Sequence, residues 1–230
     1  MTLPVAIIAG GRATRLHPIT ETIPKSLVEV AGQPFVLHQI ALLRGRRVVM
    51  CLGHLGEQVE AVVGDGARHG VEAAYSYDGG QPLGTGGALR KALPLLGDAF
   101  LVLYGDSYLR CDYADVERTF VTSRKLALMT VFENDGKYDV SNVCLRDGQI
   151  LCYDKTSELP NMTHIDYGLG ALRAGALADY PAGARFDLAT VYRDLLARSE
   201  LAAYEVPQRF YEIGSPAGLE ETRQLIEDAT

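Results

Sequence analysis

Two adjacent glycines near the N-terminus, with the basic residues Arg15 and Lys25, form the clearest candidate site for an anion. The segment Ala9-Gly10-Gly11-Arg12-Ala13-Thr14-Arg15 begins where an apolar run ends, and Pro24-Lys25 follows it. Adjacent glycines let backbone N–H groups approach a bulky anion, while arginine and lysine supply positive charge. A glycine turn with two solvated basic side chains is the alternative. We predict a polyphosphate site that contains Ala9, Gly10, Gly11, Arg12, Thr14, Arg15 and Lys25.

Two common phosphate-binding motifs are absent from the sequence. No segment reads G-x-x-x-x-G-K-[ST], and Ala13 interrupts a G-x-G-x-x-G reading of the first loop. These absences argue against a P-loop ATPase and against a simple dinucleotide-binding dehydrogenase.

A carboxylate follows a second apolar run at Tyr104-Gly105-Asp106. Ligands of open α/β sheets bind beyond the carboxyl ends of the strands, so Asp106 is expected to face the glycine loop. Magnesium bound to phosphates typically needs only one or two carboxylates. We predict that Asp106 holds Mg²⁺; an aspartate that only caps a turn is the alternative.

Short apolar runs alternate with amphipathic stretches in the first half of the chain. This pattern predicts an α/β fold in which helices cover both faces of a mixed, mostly parallel sheet. The predicted strands are Val5–Ala9, Arg47–Leu52, Val71–Ser76 and Phe100–Tyr104. The predicted helices are Val36–Leu43, Glu57–Val63 and Thr85–Leu95.

The pattern changes after Asp106, where strand-like runs are separated by short turns that favour antiparallel pairing. These runs are Leu126–Phe132, Val140–Leu145, Gln149–Tyr153 and Ile165–Leu172. The tail predicts helix Asp187–Arg198, strands Leu201–Glu205 and Phe210–Ile213, and helix Pro216–Ala229 with Ser215 as its N-cap. We expect one α/β domain over residues 1–230.

Composition limits the classes of partner. The chain has 230 residues and a net charge of −7, which disfavours a protein that coats nucleic acid. The four cysteines form no C-x-x-C pair, so we expect buried or idle thiols. The apolar run Leu3–Ala9 is too short for a membrane span, and we expect a cytoplasmic protein without a membrane partner.

The first loop resembles the signature of the sugar-phosphate nucleotidyltransferases, which reads roughly A-G-G-x-G-T-R-L-x-P followed by P-K. The sequence departs from it at Ala13, where the family usually has a third glycine. Leu83-Gly84-Thr85-Gly86-Gly87-Ala88 resembles the family's second glycine motif, and Gly105-Asp106 its magnesium-binding G-D motif. The resemblance implies a Rossmann-like domain in which residues 1–110 bind mainly the nucleotide and residues 111–230 mainly the sugar phosphate. It also implies a Mg²⁺-dependent transfer from a nucleoside triphosphate to a sugar 1-phosphate, with Arg15, Lys25 and Asp106 as the catalytic residues and Gly84, Thr85 and Gly105 near the nucleotide.

The resemblance also implies residues for the metal and for the acceptor. Phe210-Tyr211-Glu212-Ile213-Gly214 occupies the place of a W-x-D-I-G segment, so Glu212 replaces a metal-binding aspartate. Tyr153-Asp154-Lys155 resembles an E-K-P segment whose lysine meets the sugar phosphate, and the segment from Asp166 resembles the N-x-G-I segment that lines the sugar. The implied sugar-phosphate residues are Asn142, Asp154, Lys155, Asp166 and Gly168.

Within the family, Ser-Tyr-x-x-x-x-Pro-Leu-Gly-Thr-Gly-Gly-Ala and Gly-Asp-Ser-Tyr-Leu resemble D-glycero-α-D-manno-heptose 1-phosphate guanylyltransferases of surface-polysaccharide pathways. This implies GTP as donor. Guanine presents N1–H and N2–H donors that need acceptors, and we predict Asp78 or Gln81 in that role; an aspartate in a surface turn is the alternative for Asp78. Transfer to glucose or mannose 1-phosphate from another triphosphate is an alternative, as is a non-catalytic regulator that binds a nucleotide sugar. A homo-oligomer is compatible with the sequence.

Overall fold

Strands and helices alternate along the chain in the computed structural model, which describes residues 2–11, 14–16, 18–156 and 161–229. The strands are β1 (Val5–Ala9), β2 (Glu29–Val30), β3 (Gln33–Pro34), β4 (Arg47–Leu52), β5 (Glu72–Tyr77), β6 (Ala99–Tyr104), β7 (Ser107–Tyr108), β8 (Ala127–Glu133), β9 (Val143–Arg146), β10 (Gln149–Tyr153), β11 (His164–Arg173), β12 (Leu201–Glu205) and β13 (Tyr211–Glu212). The helices are α1 (Phe35–Ala41), α2 (Gly56–Val63), α3 (Gly84–Leu96), α4 (Tyr113–Ser123), α5 (Leu188–Ala197) and α6 (Pro216–Glu227).

The parallel part of the central sheet brings four strand ends to one edge. Strand β1 pairs in parallel with β4 on one side and β6 on the other, and β4 pairs in parallel with β5. The register sets Ala9 opposite Leu52 and Ile8 opposite Tyr104. The chain therefore leaves β1 and β6 side by side, with Gly10 following one strand and Gly105 the other.

An antiparallel part extends the same sheet beyond β6. Strand β11 pairs antiparallel with β6, β8 and β9, and β9 forms a hairpin with β10. Strand β12 then pairs in parallel with β8. The predicted Rossmann-like α/β fold, with a mixed, mostly parallel sheet and a smaller antiparallel part, is confirmed.

Helices cover both faces of this sheet. Val5 and Ile7 pack in a cluster with residues of α1, α2 and α4, whereas Ala6 packs in a second cluster with residues of α3 and α5. Successive side chains of a strand point to opposite faces, so a central strand covered on both sides must be apolar throughout. No helix in the described ranges is long and apolar enough to cross a membrane.

Sequence periodicity predicted β1, β4, β10 and β12 with their observed bounds, and most other elements to within a few residues. Helix α4 was not predicted. It begins at the N-cap Asp112, whose carboxylate accepts hydrogen bonds from the N–H groups of Ala114 and Asp115. The predicted strand Val140–Leu145 was wrong at its start, because Val140 is exposed in a loop and β9 begins at Val143. Ser215 caps α6 as predicted, accepting a hydrogen bond from Gly218 N at 3.0 Å.

The prediction that all four cysteines are buried or idle thiols is wrong for two of them. Cys144 and Cys152 form a disulfide between β9 and β10, with their Cα atoms 5.1 Å apart. The hairpin register sets the two residues opposite each other, which a search for C-x-x-C spacing cannot detect. Cys51 and Cys111 are free thiols, and burial raises the pKa of each to about 12.

The start of α3 is joined to the start of α5 by reciprocal hydrogen bonds. The carbonyl of Phe186 accepts hydrogen bonds from the N–H groups of Gly86 and Gly87, at 3.0 and 3.2 Å. The Thr85 hydroxyl accepts one from the buried Leu188 N–H at 2.7 Å. Gly84 has φ +72°, and a Cβ there would lie 2.6 Å from the Phe186 oxygen. The glycine motif thus lets residues 184–188 lie directly on the first turn of α3.

We expect Thr85→Val to lower the free energy of unfolding by about 1–3 kcal/mol, because the variant keeps the side-chain shape but leaves the buried Leu188 N–H without an acceptor. Urea unfolding followed by circular dichroism measures this. Thr85→Ser keeps the hydroxyl and is the matched control. A loss in Thr85→Ser without a loss in Thr85→Val would show that packing of the methyl group, not the hydrogen bond, makes the difference.

Candidate active site

A cavity of about 190 Å³ lies where β1 and β6 end. Its wall comes from the ends of both strands, the first turn of α3 and a short 3₁₀ helix, Lys25–Leu27. The lining residues are Ile8, Ala9, Gly11, Lys25, Ser26, Thr85, Tyr104, Gly105 and Asp106. Lys25 Nζ donates a hydrogen bond to Asp106 Oδ2 at 2.7 Å. The structure therefore joins two of the three predicted catalytic side chains as an ion pair.

Two predicted residues of the first glycine loop, Ala9 and Gly11, line this cavity. Ala9 ends β1, Gly10 lies against the backbone of Gly53, and Gly11 is exposed beside the cavity. Thr14 and Arg15 lie in a 3₁₀ helix, Thr14–Leu16, and the Arg15 side chain is exposed. Arg12 lies outside the described residues.

The turn that carries Asp106 is held by partners that the sequence analysis did not identify. Buried Gln39 of α1 donates two hydrogen bonds through Nε2, to Tyr104 O at 3.0 Å and Ser107 O at 2.7 Å. On the other side, Ile213 N donates to Asp106 O at 2.9 Å. In the sequence, a glutamine on the apolar face of α1 is the feature that could have indicated this role.

Glu212 is brought near Asp106 by the pairing of β13 with β7. A Cβ built on Gly214 would lie 3.3 Å from Lys25 Nζ and 3.4 Å from Asp106 Oδ2, and against Glu212 Oε2. The Glu212 carboxylate, however, accepts hydrogen bonds from Gly214 N and Ser215 Oγ at the start of α6. The structure thus gathers both predicted metal ligands but directs Glu212 toward the helix.

Asp106 is better placed than Glu212 to bind magnesium. Its carboxylate adjoins the glycine loop and is about one third exposed, at 32%. Mg²⁺ in phosphate sites keeps water and phosphate oxygens as most of its ligands, so one carboxylate suffices. Among the residues that the structure describes, no group of three or more His, Cys, Asp or Glu side chains is placed to hold a metal.

The two predicted base-binding residues differ in position. Asp78 Oδ2 accepts a hydrogen bond from Leu83 N at 3.1 Å and would lie 3.4 Å from a Cβ on Gly10. Partial burial raises the pKa of the Asp78 carboxyl, against the opposing effects of the Leu83 N–H and Lys91. Gln81 is exposed on an outer groove. Asp78 lines the same groove and also lies beside the glycine loop.

A second cavity, of about 320 Å³, adjoins the first and shares Thr85 and Tyr104 with it. Lys155 Nζ lies there, 3.1 Å from Asp166 Oδ2, 5.1 Å from the centroid of the Tyr104 ring and 5.8 Å from that of Tyr153. The Tyr153 hydroxyl also donates to Asp166 Oδ2 at 3.1 Å. A buried carboxylate and two aromatic rings thus fix the ammonium group.

Hydrogen bonds bring the remaining predicted acceptor residues together. Asn142 Oδ1 accepts from Asp166 N, and Asn142 O accepts from Asp154 N. Asp154 Oδ1 accepts from both the N–H and the hydroxyl of Thr156, so this oxygen stabilises the turn after β10. Gly168 has φ +96° at an irregularity of β11, where a Cβ would lie 3.0 Å from Ser107 Oγ. Gly168 therefore has a structural reason to be glycine.

Two relatives illustrate the sequence similarity. The chain is 28% identical over 225 residues to the UTP--glucose-1-phosphate uridylyltransferase of Synechocystis sp., covering 89% of this chain and 58% of that protein. It is 39% identical over 117 residues to the N-acetylmuramate alpha-1-phosphate uridylyltransferase of Neisseria meningitidis, covering 49% of this chain and 51% of that protein. The aligned part spans little more than half of each relative.

Solved structures share the fold over the whole chain. HddC from Yersinia pseudotuberculosis superposes with a TM-score of 0.79 at 23% identity, covering 98% of this chain and 100% of that one. The inositol-1-phosphate CTP transferase from T. maritima gives a TM-score of 0.77 at 18% identity, covering 100% and 98%. At these identities the likeness establishes the fold.

The family model described as nucleotidyl transferase matches residues 5–138. The match includes both glycine motifs and Asp106, and it covers more than half of the chain. This chain belongs to the nucleotidyl transferase family.

Proposed function

We propose that this protein transfers a nucleotidyl group from a nucleoside triphosphate to a sugar 1-phosphate, giving a nucleotide sugar and pyrophosphate. The observation that carries the proposal is the pair of adjoining cavities that share Thr85 and Tyr104. Each contains a lysine held by an aspartate. Two phosphate-bearing substrates can therefore be anchored by separate cations and still meet.

The proposed chemistry needs no covalent intermediate. A phosphate oxygen of the sugar 1-phosphate attacks the α-phosphorus of the triphosphate in line. The bond from that phosphorus to the oxygen bridging the α- and β-phosphates breaks, and pyrophosphate leaves with the bonding electrons. The nucleophile is already anionic at neutral pH, so the protein has to supply alignment and charge neutralisation rather than a general base.

The positions of the cations suggest a division of roles. Lys25, together with Arg15, would neutralise the leaving pyrophosphate beside the glycine loop. Lys155 would anchor the acceptor phosphate. Asp106, with Glu212 as a second ligand, would hold Mg²⁺, which when bound neutralises charge on the phosphate oxygens.

The remaining proposed contacts divide between the two substrates. Ala9, Gly10, Gly11, Thr14, Gly84, Thr85 and Gly105 belong to the donor side, and Asn142, Asp154, Asp166 and Gly168 to the acceptor side. On the donor side, the N–H groups of Gly86 and Gly87 already donate hydrogen bonds to Phe186. The nucleotide would therefore contact side chains and the glycine loop instead.

For the donor base we propose guanine, and for the acceptor D-glycero-α-D-manno-heptose 1-phosphate. The motif resemblance supports this choice, as does Asp78 beside the glycine loop. Guanine presents N1–H and N2–H donors that a carboxylate accepts, and an unmatched buried acceptor costs about 1–3 kcal/mol. The names of the two sequence relatives make UTP with glucose 1-phosphate or N-acetylmuramate 1-phosphate the rival pairs.

A matrix of triphosphates against sugar 1-phosphates, scored by pyrophosphate release, tests the proposal. GTP, ATP, CTP, UTP and dTTP would each be combined with heptose, mannose, glucose and N-acetylmuramate 1-phosphates. We expect release with GTP and heptose 1-phosphate to exceed that of the other pairs by about tenfold or more. A preference for UTP would overturn the guanylyl assignment, and no release with any pair would overturn the transferase itself.

We expect Lys25→Met to lower kcat/KM by about 10²–10³-fold with the fold intact, because it removes a cation that neutralises transition-state charge. Pyrophosphate release and circular dichroism measure the two properties. Lys125→Met is the matched control, since Lys125 precedes β8 at the opposite end of the sheet. Unchanged turnover in Lys25→Met would exclude the role.

We expect Asp106→Asn to abolish most of the activity that Mg²⁺ supports, because the amide keeps the shape but loses the charge that binds the cation. A Mg²⁺ titration of the initial rate measures this. Full activity of Asp106→Asn at low Mg²⁺ would place the metal elsewhere.

For Glu212, a direct metal contact predicts that Glu212→Asp retains more activity than Glu212→Gln. Equal losses in the two variants would favour a purely helix-capping role.

A further inference from the structure

Ser26 carries a buried hydroxyl that makes no hydrogen bond to any described residue. The residue is 2% exposed and forms part of the wall of the 190 Å³ cavity, next to Lys25. Burying a hydroxyl without a partner costs free energy, so an unpaired one in a native structure calls for an explanation.

The other buried serine of the described chain shows the usual arrangement. Ser141 is 9% exposed, and its Oγ accepts hydrogen bonds from Asn134 Nδ2 at 3.0 Å and from Gly136 N at 3.2 Å. The fold thus pairs a buried serine where the role is structural. The difference between the two residues is that Ser26 lies in the wall of the candidate active site.

The surroundings of Ser26 indicate the chemistry of the missing partner. The same cavity is lined by Gly11 of the glycine loop and by the Lys25 ammonium, both suited to a phosphate. A serine side chain moves between staggered rotamers without a change in the backbone, so Oγ can turn toward a ligand in the cavity. A phosphate oxygen would accept its O–H.

We propose that Ser26 is a further substrate-binding residue whose hydroxyl donates a hydrogen bond to a phosphate oxygen of the bound substrate; this inference rests on the proposed function. The phosphate belongs either to the donor nucleotide or to the acceptor sugar 1-phosphate. Among the described residues the hydroxyl has no partner, and the bound phosphate would supply one, so its contribution is to binding and not to folding.

The test compares Ser26→Ala with Ser141→Ala. The melting temperature of each ligand-free variant would be measured by calorimetry. Dissociation constants of the wild type and both variants would be measured by titration calorimetry with Mg²⁺ and pyrophosphate, GTP, UTP or glucose 1-phosphate. We expect Ser141→Ala to lower the melting temperature and leave binding unchanged. We expect Ser26→Ala to leave the melting temperature unchanged or raised and to weaken phosphate binding by about 10–100-fold.

The arms of the titration identify the source of the phosphate. Weaker binding of pyrophosphate and the triphosphates assigns the contact to the donor, and weaker binding of glucose 1-phosphate assigns it to the acceptor. Unchanged binding of every probe, or a melting temperature that falls as far as in Ser141→Ala, would overturn the proposal, as would a wild type that binds none of the probes. A wild type that binds pyrophosphate but releases none with any substrate pair would instead overturn the proposed function and leave the Ser26 contact standing.

Discussion

The ion pair between Lys25 and Asp106 is the interaction on which the arrangement of the candidate site depends. A lone carboxylate beside a glycine loop would repel the anion that the loop is suited to bind. Lys25 neutralises that charge and at the same time draws its 3₁₀ helix against the end of β6. Hydrogen bonds from Gln39 and Ile213 hold the same turn through backbone oxygens alone. The turn is therefore fixed while the carboxylate itself can exchange its partner.

The ion pair between Lys155 and Asp166 differs in its burial and in the number of partners of its aspartate. The Asp166 side chain is only 4% exposed, and a charge so deeply buried needs several partners to offset its lost hydration. It has the Lys155 ammonium, the Tyr153 hydroxyl and the Gly168 N–H. Burial and the charge of Asp166 raise the pKa of Tyr153 well above its ordinary value, so the phenol stays protonated and donates. Lys155 is therefore held in place by Asp166, whereas Asp106 can exchange its contact with Lys25 for another cation.

Local sequence patterns predicted the strands that end at the site and the residues that follow them. They did not predict which segments pack against those residues. The apolar runs ending at Gly10 and Gly105 gave β1 and β6 and placed Asp106 beside the glycine loop, because parallel strands share one edge. Gln39, Phe186 and Leu188 hold the site through contacts across many residues, and no periodicity predicts such contacts. The Cys144–Cys152 pair was missed for a different reason, since the two residues are close in sequence but their pairing depends on hairpin register. Helix α4 was missed although Asp112 is a favourable N-cap residue.

Glutamate at position 212 changes the order in which a metal site could assemble. Its extra methylene, relative to the aspartate that the family motif has there, lets the carboxylate turn back to Gly214 N and Ser215 Oγ. A negative charge at that position also interacts favourably with the N-terminal end of α6. A cation at Asp106 competes with one ammonium contact, whereas a cation at Glu212 must also replace two hydrogen bonds at the start of a helix. Each of those bonds contributes about 1 kcal/mol or more when one partner is charged. Asp106 is therefore the carboxylate at which a cation would bind first, and Glu212 would join only if the metal and its phosphate ligands offset the loss at α6.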